Sequence, residues 1–526
     1  MGKQRETALP QTRAYLTAVL VIMLTACMSP QPVATAQPEG LDSGAAVRIE
    51  PFALLNRLTW GVGASSVEQL DALGVDRFLD QQLHPPATPL LPTEVQARID
   101  ELTISRTPMD RLLIELDQRR RDFDALKIDN EKKAAQQAYQ QELNRLSQEA
   151  ATRSLLRALY SPSQLQEQMT WFWMNHFNLF QYKSNLRAMV GDFEDRAIRP
   201  HALGHFRDLL AATVFHPAML RYLDNEQNAA GHINENYARE LMELHTLGVD
   251  GGYTQKDVQE LARVLTGLGV NLTDKTPGIR KELRGQYFRD GLFEFNPNRH
   301  DYGNKLVLGR TIHGGGIIEV KEMVDLLGKH PATARFISRK LAIFFVADDP
   351  PPALVDRMAS AFTHSDGDIA AVLRAMLQSS ELARSLEHKF KDPVHYVVSA
   401  VRLAYGDKTI LNAGPMINWL NRLGEPLYGH QTPDGYPTDA ASWSSPGQMT
   451  MRFEIAKAIA SGSAGLFRAD GPAPVERPAF PQLANAIYYN SMQKRLGIAT
   501  RQALDKAVSP QEWGTFLLSS PEFMNR

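Results

Sequence analysis

Only one cysteine, Cys27, occurs in the 526-residue chain, and it stands near the amino terminus. A lone thiol excludes an internal disulfide framework and any zinc or iron–sulfur site built from several thiolates. Long apolar runs are also scarce: the stretch at residues 14–24 falls short of the about 20 residues that a spanning helix needs. Charge of one sign is not in excess. The formal net charge is -2 and no sustained basic stripe exists, which argues against nucleic acid as a partner. There is no Gly-x-x-x-x-Gly-Lys-Ser/Thr loop, His-Glu-x-x-His pair, Gly-x-Ser-x-Gly elbow, nicotinamide fingerprint, haem-attachment pair or EF-hand. No cofactor is therefore expected.

What is present begins with an address. Lys3, Arg5 and Arg13 form a basic start, residues 14–24 an apolar core, and Leu24-Thr25-Ala26-Cys27 a closing box. The pattern is that of an export signal. It resembles a bacterial lipoprotein signal, in which the thiol of Cys27 would be linked to lipid once residues 1–26 are removed. That cut takes away a net +2 and leaves -4 on about 500 residues, ample for a large core. Met28 follows the cysteine where an aspartate might hold a lipoprotein at an inner membrane, so the outer membrane, facing periplasm or exterior, is the expected site. Residues 27–46, rich in Pro, Ala, Gln and Gly, read as a flexible tether.

From residue 47 to 526 the pattern is mainly α, a multi-helical globular body. Residues 107–158 are helix formers with thin apolar positions, which predicts a projecting helical hairpin. Around 271–311, in a polar and glycine-containing excursion, the short segments Gln286-Tyr287-Phe288 and Leu292-Phe293-Glu294-Phe295 predict a small β insertion. Thr254 with Asp257 is a helix start, and Pro331 opens a helix whose Phe336, Ile337, Leu341, Phe344 and Phe345 form a buried stripe, with Arg335, Arg339 and Lys340 pointing elsewhere.

Candidate chemistry concentrates in the centre. Trp171, Phe172, Trp173, Phe177 and Phe180 surround Asn175 and His176, a polar pair that must find partners. His201 and His205, with Asp208, are spaced to share a helix face and could hold a divalent metal if a third ligand arrived from elsewhere. In Asn234-Glu235-Asn236-Tyr237-Ala238-Arg239-Glu240, helical spacing gathers Glu235, Asn236, Arg239, Glu240 and Glu243 on one arc. Carboxylates interleaved with an arginine suit acid/base work, because one can stay ionised while another keeps its proton. Glu235 and Glu240 are the catalytic candidates there, with Asn234, Asn236 and Arg239 as binding candidates. The alternative is a solvated face with a Glu235–Arg239 pair. On a loop, His300-Asp301-Tyr302-Gly303-Asn304-Lys305 offers His300 and Asp301 for catalysis and Lys305 for an anionic group. Trp443, among Pro and Gly, offers a ring for a cleft wall or a plug between helices.

These segments carry a resemblance to a bacterial family, domain of unknown function 1800. The matching residues include Leu54-Leu55-Asn56-Arg57 with Trp60-Gly61, Phe172-Trp173-Met174-Asn175-His176-Phe177, Asn234-Glu235-Asn236-Tyr237-Ala238-Arg239-Glu240, Thr246-Leu247-Gly248, His300-Asp301 with Lys305, and His330-Pro331-Ala332-Thr333-Ala334-Arg335-Phe336. His205 departs from the family pattern, which weakens the metal idea. The resemblance implies an exported protein and a partner resembling the alkaline phosphatase and sulfatase fold. Two readings follow. One is a hydrolase or lyase acting on a cell-surface polysaccharide or similar polymer by carboxylate acid/base catalysis. The other is a non-enzymatic helical scaffold for that exported partner, its polar clusters being internal networks.

Overall fold

Capping residues and apolar periodicity set most elements in the computed structural model, which describes residues 50–87, 90–273, 275–406, 408–468 and 480–526. Cys27, the signal and the tether over 27–46 lie outside the described residues. We label the helices used below in chain order.

Helix α1 (Pro51–Leu58) opens on Glu50, whose carboxylate accepts the Ala53 N–H, and buries Leu54, Leu55 and Leu58. Helices α2 (Met109–Asp124) and α3 (Asp129–Tyr160) pack on each other as the expected hairpin. Its tip is solvent-exposed, whereas Leu143, Leu146, Leu155, Leu156 and Leu159 bury the second half of α3 in the core. Sequence polarity therefore marks the part that stands in water, and the apolar half anchors it.

Helix α4 (Gln164–His176) is buried almost throughout. After a π turn (Phe193–Ile198) come α5 (Phe206–Val214), α6 (Asn236–Glu243) and α7 (Gln255–Val264). Helix α7 starts with the expected reciprocal cap: the Asp257 N–H donates to Thr254 Oγ1 and the Thr254 N–H to Asp257 Oδ2 (3.2 and 2.8 Å). Three antiparallel strands, β1 (Leu268–Val270), β2 (Phe288–Asp290) and β3 (Phe293–Phe295), pair in the order β1-β3-β2, with Phe295 opposite both Leu268 and Phe288. Strands β4 (Lys305–Val307) and β5 (Arg310–Ile312) form a separate hairpin against α7. The small β insertion is thus present, from 268 to 312.

Helices α8 (Ile317–Gly328), α9 (Pro331–Phe345), α10 (Pro352–His364) and α11 (Ile369–Leu377) follow, with α9 on α10 and α10 on α11. Helix α12 (Pro393–Tyr405) is buried on nearly every side and packs on α13 (Pro446–Ala460), which meets α14 (Pro510–Leu518). One buried apolar cluster runs from Leu54 to Met524, so both ends of the described body share a core. No helix among the described residues is long and apolar enough to cross a membrane.

Buried arginines bind the distant parts together, as buried donors must find acceptors. Arg57 of α1 donates to the carbonyls of Phe345, Ser385 and Arg526. Arg526 donates to Gln168 Oε1 (3.0 Å) and Phe344 O (2.9 Å) and contacts His395 Nε2 (2.5 Å). Burial, with the nearby Arg526 charge, pushes the Arg57 guanidinium down to about 9.

Candidate functional site

The aromatic segment ending α4 has two tasks, divided between adjacent residues. Asn175 donates from Nδ2 to Tyr436 O (2.9 Å) and accepts the Tyr436 N–H at Oδ1 (2.6 Å). Asn178 extends this clasp by donating to His430 O and Thr432 O (3.0 and 2.7 Å), and the Gln181 amide donates to Leu427 O (3.1 Å). Three side-chain amides therefore sew the 427–437 loop to the end of α4. Gly435 has φ +78°, and a Cβ there would run into the Asn175 carbonyl, so the close approach requires glycine. Trp443 supports this loop from behind: it is buried, donates from Nε1 to Pro437 O (2.8 Å) and packs near Tyr436. It is a plug, not the exposed ring of a cleft wall.

His176 faces the other way, into the core. It is 2 % exposed, caged by Phe172, Trp173 and Phe177, and its Nε2–H donates to His245 O (3.1 Å). That acceptor fixes the proton on Nε2 and leaves Nδ1 without a partner. Burial, reinforced by the nearby Lys340 charge, holds His176 well below the ordinary imidazole range. His245 is pushed down to about 3 by the same two causes and has no hydrogen-bond partner at either nitrogen.

Between this floor and the sewn loop lies a cleft of about 240 Å³, lined by His176, Asn175, Trp171, Lys340, Asp434 and Tyr436, among others. Lys340 lies over the Phe336 ring (5.5 Å) and forms no hydrogen bond or ion pair among the described residues. Desolvation pushes it down to about 8, opposed by the charge of Asp434. The helical pattern alone assigned Lys340 to the outward side of α9; the long-range arrival of the loop turns that side into a cleft wall. At the lip, Thr432 Oγ1 donates to Asp434 Oδ1 (2.5 Å), and His430 Nε2 lies 3.2 Å from the same oxygen. Although burial raises Asp434, the Thr432 and His430 contacts hold it below the usual carboxylate range.

Glu240 does not line this cleft but is coupled to it. It is half-buried on α6, and its carboxyl is raised by burial, by Glu243 and by Asp434, with Arg239 opposing. Asp434 therefore acts electrostatically on both Glu240 and Lys340. Glu235, the residue before α6, pairs with Arg239 (3.1 Å), and Gln255 joins both (2.6 Å to Glu235 and 2.8 Å to Arg239) on the partly open surface. Asn234 and Asn236 are used locally: Asn234 Oδ1 accepts the Asn236 N–H (3.0 Å), and Asn236 Nδ2 donates to Leu223 O (3.1 Å).

The remaining candidates gather elsewhere. The His300 side chain is fully buried, with Nδ1 donating to Thr266 O and Nε2 facing Glu319 Oε1 (both 2.8 Å). Lys305 donates to Glu319 Oε2 (2.5 Å) and to Asp301 O. Although burial raises Glu319, these partners and the Gly315 N–H hold its carboxyl low. Asp301 takes a forked pair from Arg263 (2.8 and 3.1 Å). Every one of these groups is engaged, and none lines the cleft with His176. His201 and His205 do not share a helix face: His201 lies in a 3-10 turn, whereas His205 caps α5 and donates to Asp366 O (3.1 Å). Among the described residues, no group of three or more His, Cys, Asp or Glu side chains is placed to hold a metal ion.

Residues 53–525 match the family described as protein of unknown function (DUF1800). The chain belongs to the DUF1800 family. No curated protein and no solved structure matches it. For this DUF1800 member, the geometry separates two roles within the matched segments: Asn175 and Gly435 build the cleft, and His300, Asp301 and Lys305 fasten the β insertion to α7 and α8. Sequence reasoning passed over Lys340, His430 and Asp434. The available signal was that Lys340 lies four residues from both Phe336 and Phe344, which places it at the border of the buried stripe rather than opposite it.

Proposed function

We propose that the protein is a hydrolase or lyase acting on a polysaccharide or similar polar polymer at the cell surface, with its working centre at the Lys340–Asp434 cleft. The observation that carries this reading is a partly desolvated ammonium without an ion-pair partner, lining one cleft with a carboxylate that also helps to raise a second carboxyl, that of Glu240. Such divergent carboxyl environments suit paired acid and base roles. In the hydrolytic form, water adds to the anomeric carbon as the bond to the leaving oxygen breaks. Glu240, which stands outside the cleft lining, gives its proton to that oxygen through an intervening water, and Asp434 takes the proton of the attacking water. Lys340 holds an anionic group of the polymer, the role first expected of Lys305. His176 forms a neutral floor. Release of reducing ends or unsaturated sugars from surface polymer should fall at least 100-fold in Glu240→Gln and in Lys340→Met. Unchanged turnover in folded variants would sink the assignment.

Attachment through a lipid on Cys27, in an outer membrane, belongs to the same proposal. Labelling of the protein by a fatty-acid analogue should vanish in Cys27→Ala, and labelling that persists there contradicts it. The second reading, a scaffold for an exported phosphatase- or sulfatase-like partner, draws on the fully engaged His300–Glu319–Lys305 cluster. Affinity isolation from gentle extracts supports it if such a partner travels with the chain; recovery of the chain alone counts against it.

A further inference from the structure

A second cavity, of about 900 Å³, shares no lining residue with the Lys340 cleft. It opens between the start of α2, the π turn, the segment after α5, β2–β3 and the start of α8. Its volume falls within the about 300–1,000 Å³ typical of ligand sites. Three phenylalanines meet there, one after α5 and two from the paired strands β2 and β3: Phe215 lies against Phe293 (5.5 Å between centroids) and Phe288 against Phe293 (6.2 Å). Phe288 remains 49 % exposed.

The charges around these rings nearly balance. Asp192 is shared by Arg196 (3.2 Å) and His216 (3.1 Å) and is thereby occupied. His216 is satisfied as well, since its Nδ1 accepts the Ala218 N–H. Asp290 and Lys321, in contrast, are exposed and form no side-chain hydrogen bond or ion pair among the described residues. The cavity thus combines an apolar platform with one free carboxylate and one free ammonium. We propose that it binds an uncharged oligosaccharide strand, whose C–H faces lie on the phenylalanine rings while its hydroxyls bridge Asp290 and Lys321. A strongly anionic chain would meet Asp110, Asp192 and Asp290, and a strongly cationic one Arg196 and Lys321. An extended peptide would bind through the free edge of β2, where three residues provide only a short ladder.

This deepens the proposed function by naming an uncharged stretch of the polymer, distinct from the anionic group that Lys340 holds, as the part kept away from the cleft, and it rests on that reading for the link to turnover. Its test is independent of turnover. Cellohexaose, xylohexaose, mannohexaose and chitohexaose are titrated calorimetrically into the full chain in detergent. At least one should bind below about 5 mM. Phe288→Ala, at an exposed position, and Asp290→Ala should each weaken it at least tenfold, while Lys340→Met leaves it unchanged. Binding by none of the four, or wild-type affinity in both Phe288→Ala and Asp290→Ala, overturns the proposal. Unchanged turnover in Lys340→Met with intact hexasaccharide binding would instead fault the cleft assignment alone.

Discussion

Lys340 and Glu319 show how the presence or absence of a partner decides what a desolvated charge does. Lys340 has no ion-pair partner and is pushed down to about 8, whereas Glu319 has His300, Lys305 and two backbone N–H groups. For Lys340, the folded state releases its proton before the unfolded chain does, so the cation costs stability below pH 8 and that cost fades as pH rises toward the ordinary lysine value. Lys340→Met is expected to raise stability by about 1 kcal/mol at neutral pH, with a smaller gain near about pH 9.5; melting at both pH values checks it. A stabilised but inactive variant is the signature of a group kept for function. Glu319→Gln should instead lose about 3–5 kcal/mol, because His300 and Lys305 are left facing a neutral amide. Chemical denaturation measures that loss, and a drop under about 1 kcal/mol would remove the network from its structural role.

At the scale of elements, the 427–437 loop has the geometry of a wall although it contains no regular strand. Its carbonyls are taken by Asn178, Gln181 and Asn175, and Trp443 fills the space behind it. Asn175→Ala removes both clasping bonds to Tyr436 and should destabilise the protein by about 2 kcal/mol. Hydrogen exchange should quicken over 430–438 while the α12 core stays protected, and uniform protection across both would contradict the clasp. Local signals were legible where the cause is local: the Thr254–Asp257 cap and the Pro331 start open the helices they predict, and the aromatic run at 292–295 contains β3. The hairpin was legible too, because a solvated helix is written in polarity along its own length. The partners of His300 were not, since Glu319 arrives from α8, nor was the clasp, since Asn175 and Tyr436 are 261 positions apart. The sequence pattern on α6 correctly separated Tyr237 and Leu241 from Glu235 and Glu240, yet it could not tell that Glu240 would be coupled to Asp434.

Across the whole molecule, a continuous core with buried arginine ties holds the cleft and the β insertion in fixed places while keeping them apart. The account therefore predicts that chemistry depends on the charged groups of the cleft, Lys340 and Asp434, and is insensitive to the exposed Glu235–Arg239 pair. The most direct measurement is the pH dependence of polymer cleavage by the wild type and by Lys340→Arg. If the Lys340 cation holds the polymer, wild-type cleavage falls as pH rises through about 8, and arginine, which stays charged, moves that fall to higher pH. An alkaline limb unchanged by Lys340→Arg, or no cleavage of surface polymer by the wild type at any pH, would contradict the account.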